Sequence, residues 1–309
     1  MLLFTLPTLA ADKIDNLITK AKNGDVESQR HLGNLYQSGE DVPQDYKKAF
    51  KWYSKAALQN DAESKHMLGE IYQLGLGVAI DYKKALEWFE KAASQGHAYC
   101  QHRVGIMYYV GRRSVTKDYK KALEWFEKAA LQGFLHSQNF LGSMYYAGKG
   151  APQNYDKAFK WYEKAALQGG AYAQYHLGAM YYEGKGVLKN YNKALEWFEK
   201  AALQDHVGAQ YKLGDMYYSA EGVPVDYNKA IEWFERAMLG PKFLEYYNED
   251  LLKKFENLKL IDDANVQYKL GEVYYVGKSI PQDYKKALEW FEKAALQGNV
   301  RAQYNLGFM

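Results

Sequence analysis

Residues 169 to 204 read GGAYAQYHLGAMYYEGKGVLKNYNKALEWFEKAALQ and contain two helical patterns joined by a glycine-rich turn. In the first pattern, apolar residues recur every three or four positions from Ala173 to Tyr181, which places them on one face of a helix. The run Gly184 to Gly186 ends this helix, and Asn190 offers a side-chain oxygen that caps the next one. The stretch therefore predicts a helix-turn-helix unit.

The same unit recurs along the chain at steps of 36, 36, 37, 36, 36, 57 and 36 residues. The steps are counted between equivalent glycines, which are Gly33, Gly69, Gly105, Gly142, Gly178, Gly214, Gly271 and Gly307. All seven tryptophans also share one position of the repeat: Trp52, Trp88, Trp125, Trp161, Trp197, Trp233 and Trp290. A fixed period of this length is the signature of stacked units. The sequence therefore predicts an all-α fold, a right-handed alpha-alpha solenoid of about seven 36-residue helix-turn-helix repeats.

Three positions of the repeat have predicted structural roles. Glycine costs about 1 kcal/mol relative to alanine inside a helix, so its return indicates close contact between helices. The tryptophan position is predicted to face inward, and we expect Trp161→Ala to cost about 3 to 5 kcal/mol. The position before each second helix is always Asp or Asn, which indicates a structural cap. These caps are Asp45, Asp81, Asp118, Asn154, Asn190, Asp226 and Asp283.

Departures from the period define the predicted organisation. In chain order we expect a signal-peptide remnant or N-terminal strap at 1-11, a degenerate capping helix at 12-23, repeats 1-6 at 24-238, an inserted helix at 239-261, repeat 7 at 262-297 and a truncated repeat 8 at 298-309. The insertion is interpreted as a docking element, a bend, or a tolerated expansion that packs on its neighbours. The apolar run from Leu2 to Ala11 is too short to cross a bilayer but resembles part of a secretory signal. We therefore favour an exported protein, periplasmic or secreted, over a cytoplasmic one.

Composition and motifs argue against several function classes. A formal net charge of +3 provides no strong field for nucleic acid or an acidic membrane. The single Cys100 cannot form an internal disulfide. We find no phosphate loop, dinucleotide fingerprint or nucleophile-base motif, and the seven histidines show no metal-type spacing. The sequence thus predicts no catalytic residues, no cofactor and no metal site, in a protein that is not an enzyme.

The pattern G-x-G-V-x-x-(D/N)-Y-x-K-A-x-x-W, with a closing A-A-x-x-G, resembles the Sel-one-like repeat branch of the tetratricopeptide class. The resemblance covers the chain from Gly24 to Met309. It implies a non-enzymatic adaptor of a kind common in bacteria. An action on beta-lactams has been claimed for a cysteine-rich bacterial branch with paired cysteines in each repeat. This chain lacks those pairs, which argues against such a hydrolase.

By analogy with tetratricopeptide arrays, the first helices are expected to line a concave groove. The groove-facing positions lie six and three residues before the packing glycine and one, four and five after it. The predicted partner-binding residues are Tyr99, His102, Tyr109, Tyr146, Tyr172, Tyr175, Tyr182, Tyr211, Tyr218, Tyr268 and Tyr275. Tyrosine combines a large flat surface with a hydroxyl and is favoured at interfaces. An alternative is that some of these rings pack against neighbouring first helices.

We therefore predict a scaffold that binds a protein or peptide partner in a tyrosine-rich groove. The alternatives are a carbohydrate or cell-wall binding module, which would use the same rings, and an enzyme. Binding of nucleic acid is not expected, no transmembrane segment is expected, and we expect a monomer.

Overall fold

The structure is a computed structural model in which residues 6–111, 114–239, 251, 253–254, 262–277 and 281–309 are described. These residues form 16 α-helices and no β-strand. The predicted all-α fold is therefore confirmed.

The helices alternate between first and second helices of the repeats, after an N-terminal helix α1 (Leu6–Lys22). The first helices are α2 (Val26–Ser38), α4 (Ala62–Leu74), α6 (Ala98–Val110), α8 (Leu135–Ala147), α10 (Ala171–Glu183), α12 (Val207–Ser219), α14 (Ala264–Val276) and α16 (Val300–Leu306). The second helices are α3 (Tyr46–Leu58), α5 (Tyr82–Ala93), α7 (Tyr119–Leu131), α9 (Tyr155–Leu167), α11 (Tyr191–Ala202), α13 (Tyr227–Leu239) and α15 (Tyr284–Leu296).

The chain divides into two compact units, which we call unit 1 (Met1–Asn154) and unit 2 (Tyr155–Met309). In unit 1, consecutive helices from α1 to α8 pack against one another, and in unit 2 the same holds from α9 to α13 and from α14 to α16. This stacking of neighbours is the packing scheme of a solenoid.

The glycine that recurs in the first helix of each repeat has the predicted packing role. A Cβ atom placed on Gly105 would lie 2.6 Å from the ring of Phe126, whereas carbon atoms in contact are normally about 3.5 to 4.0 Å apart. The same close approach joins Gly33 to Tyr53, Gly69 to Phe89, Gly178 to Phe198, Gly214 to Phe234 and Gly271 to Phe291. Glycine at this position therefore lets an aromatic ring of the second helix lie directly on the first helix.

The aromatic residue that fills the core is the one after tryptophan. Phe126 and its equivalents are fully buried, and these equivalents are Tyr53, Phe89, Tyr162, Phe198, Phe234 and Phe291. Trp52 is 9% exposed, and the other six tryptophans, Trp161 among them, are only partly buried. Trp88, Trp125, Trp233 and Trp290 pack against the buried core clusters but keep part of their surface exposed, so the predicted inward position is met only in part. Successive helical residues differ by about 100° in direction, so when Phe126 faces Gly105, Trp125 is turned to the edge of the helix pair.

A cation covers the exposed side of each tryptophan. The Nζ atom of Lys128 lies 3.9 Å from the ring centroid of Trp125. Lys55, Lys91, Lys164, Lys200, Arg236 and Lys293 take the same place over the other six rings. This lysine or arginine thus covers part of the aromatic surface through a cation–π contact.

A buried glutamine that the sequence analysis missed joins successive repeats. Gln101 donates from Nε2 to the carbonyl oxygen of Ala93 at 3.1 Å, and its Oε1 accepts from Gln132 at 2.8 Å. The bond to a helix-terminal carbonyl satisfies an acceptor that lacks a partner within its own helix. Gln29, Gln138, Gln174 and Gln210 make the same bond to the preceding helix.

Most predicted caps are present, and the N-terminal region differs from expectation. The side chains of Asp45, Asp81, Asp118, Asn190, Asp226 and Asp283 each accept a backbone N–H three residues on. The predicted capping helix at 12-23 is part of the longer helix α1, so residues 6 to 11 are helical and do not form an irregular strap. Pro7 is compatible with this, because proline is tolerated in the first turn of a helix.

The predicted inserted helix at 239-261 lies mostly outside the described residues. One described side chain from it, Leu251, is fully buried in a cluster with Met238, Val266 and Leu270. A second, Lys254, forms an ion pair with Asp215 of α12. Part of the insertion therefore packs on repeats 6 and 7.

Candidate partner-binding surface

Five of the predicted tyrosines lie on two neighbouring first helices of unit 2. Tyr172, Tyr175 and Tyr182 belong to α10, and Tyr211 and Tyr218 belong to α12. Separations of three and seven residues place the α10 rings on one helical face. Tyr172 is 44% exposed, and the other four are partly buried. We call these five residues the tyrosine surface of unit 2.

Contacts with the next repeat fix two of these rings. Tyr175 stacks on His206, with ring centroids 4.6 Å apart and planes at 22°. The hydroxyl of Tyr182 donates to the carboxylate of Glu221, and Lys212 lies 5.1 Å from the centroid of the same ring. Burial, together with this hydrogen bond, raises the pKa of Tyr182, so the hydroxyl remains protonated. The alternative that some rings pack on neighbouring helices is therefore correct for Tyr175 and Tyr182, although both keep part of their surface accessible.

The two predicted tyrosines of α14 differ in environment. Tyr275 is 47% exposed and makes an edge contact with Tyr284 at 5.5 Å. Tyr268 is only 8% exposed, and its hydroxyl donates to Glu272 at 2.6 Å. Its ring lies in a buried cluster with Phe291 and Ala302 of α16. Tyr268 is thus a core residue, and its prediction as a binding residue is not supported.

In unit 1 the predicted residues lie among other aromatic side chains. The ring centroid of His102 lies 4.9 Å from that of Phe134 with the planes tilted by 40°, and its Nδ1 lies 2.9 Å from the Ser137 hydroxyl. Burial, and then the nearby His136 and Arg103, lowers the pKa of His102 to about 4. The imidazole is therefore neutral near pH 7 and serves as a packed aromatic ring.

Tyr109 and Tyr146 occupy the equivalent position of consecutive first helices. The Tyr109 hydroxyl accepts a hydrogen bond from Lys149 at 3.2 Å, and its ring contacts Tyr119 and Phe140 edge-on. Tyr146 is partly buried, and its backbone carbonyl accepts from Gln153 at 2.8 Å. Tyr109 is thus tied to the following repeat, much as Tyr182 is in unit 2.

A cluster of ionisable groups also lies at the first helices of unit 1. The carboxylate of Glu63 lies 3.3 Å from His66 Nδ1 and 3.2 Å from His97 Nε2. His66 Nε2 lies 3.5 Å from Glu70, which accepts from the hydroxyl of Tyr99 at 3.4 Å. Burial opposes the charge on His66, but Glu70 and Glu63 outweigh it and raise its pKa.

The cluster was not predicted from the sequence, because 31 residues separate His66 from His97. Metal-type spacings on one helix are three or four residues, whereas here the period of the repeat brings the two histidines together. Tyr99, a predicted partner-binding residue, is held at the edge of this cluster, with its ring 5.0 Å from His66.

The repeats match the family model of the Sel1 repeat at residues 26–61, 62–97, 98–134, 135–170, 171–206, 207–238 and 264–299. The chain belongs to the Sel1 repeat family. The resemblance to Sel-one-like repeats is therefore confirmed, and the matched segments agree with the helix pairs of the structure. None of the curated proteins compared with the chain matches it.

Two solved structures share the Sel1 architecture over nearly the whole chain. A Sel1 repeat protein from Oxalobacter formigenes is 33% identical over 96% of this chain and 80% of its own, with a TM-score of 0.66. The protein c5321, a protective antigen present in uropathogenic Escherichia coli strains displaying an SLR fold, is 33% identical over 95% of this chain and 73% of its own, with a TM-score of 0.58.

Membership of the Sel1 family places the protein among scaffolds that are commonly used for protein–protein interaction and are generally non-catalytic. Within the described part of the chain, no helix combines the length and the apolarity needed to cross a membrane. The fold itself does not select a partner, because function depends on the particular surface that a scaffold presents.

Proposed function

We propose that this Sel1 repeat protein is a non-enzymatic adaptor that binds a protein or peptide segment on the tyrosine surface of unit 2. The observation that carries the proposal is the row of partly exposed rings on α10 and α12, which contacts between repeats hold in place. Tyr175 on His206 and Tyr182 on Glu221 are the two fixed points of this row.

Fixed rings favour binding for an entropic reason. A side chain that is ordered only on binding costs about 0.5 to 1.5 kcal/mol, whereas a ring already held by its neighbours avoids most of this cost. Tyrosine also offers an apolar face and a polar edge, which suits an interface that is wet at its rim. The accessible parts of Tyr175 and Tyr182 and the more exposed Tyr172 therefore form a suitable set of anchors.

A second apolar surface competes with this assignment. Leucines at the ends of second helices are strongly exposed, and they are Leu58, Leu131, Leu167, Leu203 and Leu296. Exposed single leucines are normal on protein surfaces, and leucine is under-represented among residues that dominate binding energy, whereas tyrosine is enriched. The tyrosine surface is therefore the better candidate.

The test selects ligands from a displayed random-peptide library with the full chain and measures their affinities by titration. Replacing Tyr172 and Tyr182 together with alanine should weaken the selected peptides by at least about 30-fold, corresponding to about 2 kcal/mol or more for two anchor residues. The matched control replaces Leu167 and Leu203, which are exposed in the same unit, and should leave affinity unchanged.

Circular dichroism of each variant shows whether the helices remain folded. A loss of affinity in the leucine pair, with none in the tyrosine pair, would transfer the binding surface to the second helices. A glycan array probed in parallel tests the carbohydrate alternative: binding there that depends on Tyr172 and Tyr182, without selected peptides, would replace the peptide assignment.

A further inference from the structure

The cluster of Glu63, His66 and His97 in unit 1 has the composition and geometry of a metal site. The three side chains each offer one ligand atom, and these atoms lie within 4.8 Å of one another. We propose that Glu63, His66 and His97 bind a divalent transition-metal ion of the zinc class, with a fourth position open to solvent. This site is separate from the tyrosine surface of unit 2.

The two separations that involve Glu63 are close to those that a tetrahedral ion requires, and all three ligand atoms lie within 4.8 Å of one another. Zinc bonds of about 2.0 to 2.2 Å hold neighbouring ligand atoms about 3.3 to 3.5 Å apart. The Glu63 carboxylate already lies 3.3 Å from His66 Nδ1 and 3.2 Å from His97 Nε2, through different oxygens. Rotation about the terminal torsion of glutamate is inexpensive, and Glu63 is the most exposed of the three. One carboxylate oxygen can therefore approach both histidines, and an ion can enter from solvent.

The residues behind His66 provide the support that such a ligand needs. A histidine that binds metal through Nδ1 carries its proton on Nε2, where a carboxylate normally accepts it. Glu70 lies 3.5 Å from His66 Nε2 and is itself held by the Tyr99 hydroxyl at 3.4 Å. The buried His66 Nε2 makes no hydrogen bond to any residue that the structure describes, and a small movement of the Glu70 carboxylate would supply the acceptor that a metal-bound His66 needs.

His97 already caps helix α6, and binding of an ion would remove this cap. Its Nδ1 accepts the backbone N–H of Cys100 at 3.2 Å and so caps α6, which places the proton on Nε2. Binding through Nε2 moves that proton to Nδ1 and removes the cap. The equivalent Phe134 and Gly170 make no side-chain cap, yet α8 and α10 form, so the loss is tolerated. A cap contributes far less than the binding of a zinc ion.

Two imidazoles and one carboxylate select the class of ion. Nitrogen ligands suit zinc, copper and nickel, whereas calcium and magnesium require oxygen ligands. We therefore expect binding of Zn²⁺ and Co²⁺ and no binding of Mg²⁺ or Ca²⁺ at the same concentration.

The experiment titrates the untagged full chain with ZnCl₂ in a calorimeter and with CoCl₂ in a visible spectrophotometer. One equivalent of Zn²⁺ should bind, and Co²⁺ should give the intense ligand-field absorption of a tetrahedral site. The double variant His66→Ala and His97→Ala should bind Zn²⁺ at least 100-fold more weakly. Glu70→Gln, which removes only the supporting carboxylate, should weaken binding by about 10- to 100-fold.

The matched control is the double variant His176→Ala and His206→Ala, which removes a histidine of α10 and the histidine that caps α12 in unit 2. Its affinity for Zn²⁺ should equal that of the unaltered chain. Because loss of His66 removes a partly buried ring, Glu63→Gln provides a milder variant at an exposed position, and it should also weaken binding by at least 10-fold. The proposal would be overturned if the unaltered chain bound Zn²⁺ no more tightly than the His66 and His97 variant. It would also be overturned if the control variant lost as much affinity for Zn²⁺ as that variant.

Discussion

Gly105 lies against the ring of Phe126, so the effect of Gly105→Ala on stability should change sign when that ring is removed. Gly105→Ala introduces a methyl group into helix α6, where alanine is favoured over glycine by about 1 kcal/mol. The new Cβ would lie 2.6 Å from the Phe126 ring, about 1 Å closer than carbon atoms normally approach. Phe126 cannot withdraw easily, because it is stacked on Phe140 at 4.7 Å. Overpacking of this kind costs about 1 to 3 kcal/mol, so after the gain in helix propensity the net effect should be a loss of up to about 2 kcal/mol.

Removing the ring should reverse the sign. In a Phe126→Ala background, which itself costs about 3 to 5 kcal/mol, the same Gly105→Ala change meets no ring and should stabilise by up to about 1 kcal/mol. Urea titrations of the four proteins, followed by helical circular dichroism, give the coupling energy, which we expect to be about 2 kcal/mol. If Gly105→Ala stabilises the unaltered chain, or has one sign in both backgrounds, the close-contact role of this glycine is wrong.

Three further predictions concern the other positions. Trp125→Ala should lower the free energy of unfolding by about 1 to 2 kcal/mol, less than Phe126→Ala, because its ring is only partly buried and is covered by Lys128. Equal losses for the two variants in urea titrations would contradict the smaller burial of the tryptophan. Asp118→Ala should cost about 1 kcal/mol, and Asp118→Asn should retain most of the stability in the same titration, because its side chain accepts the N–H of Lys121 at 3.0 Å. Burial, and then the charge of His206, lowers the pKa of His176 to about 4, which is below its value in the unfolded chain. The stability linked to this shift is therefore fully present above about pH 6.5 and is lost as the pH falls towards 4. His176→Gln should therefore show a smaller drop in melting temperature between pH 7 and pH 5, and an equal drop would contradict this.

The parts of the fold that follow from local chemistry could be predicted from the sequence. The glycine position and the Asp or Asn caps recur in register, and each has one physical explanation that the structure supports. The tryptophan position could not be resolved in the same way. Trp125 and Phe126 are adjacent and both apolar, so composition does not decide which one faces Gly105. The choice depends on the space between two helices, which one helical pattern does not contain.

The candidate surfaces show a second limit, because the groove-facing positions were assigned by analogy with tetratricopeptide arrays, without regard to the residues that the next repeat places beside them. Residues three before the packing glycine vary between repeats, and four of them contact the residue that precedes the next first helix. Arg30 pairs with Asp61 at 2.9 Å, His66 lies beside His97, His102 makes a tilted ring contact with Phe134, and Tyr175 stacks on His206. The two members of each pair are 31 or 32 residues apart.

This pairing explains why the helical spacing of three or four residues did not find the histidine cluster or the fixed rings. In a stacked array, the backbone of each repeat brings the same two positions together, so the two residue types decide whether the contact is an ion pair, a ring stack or a pair of metal ligands. A position is free to bind a partner only where its neighbour one repeat on leaves part of it uncovered. Tyr175 meets this condition because His206 covers one face of its ring and leaves the side chain partly exposed, whereas Tyr268 does not, since the helix that follows buries it.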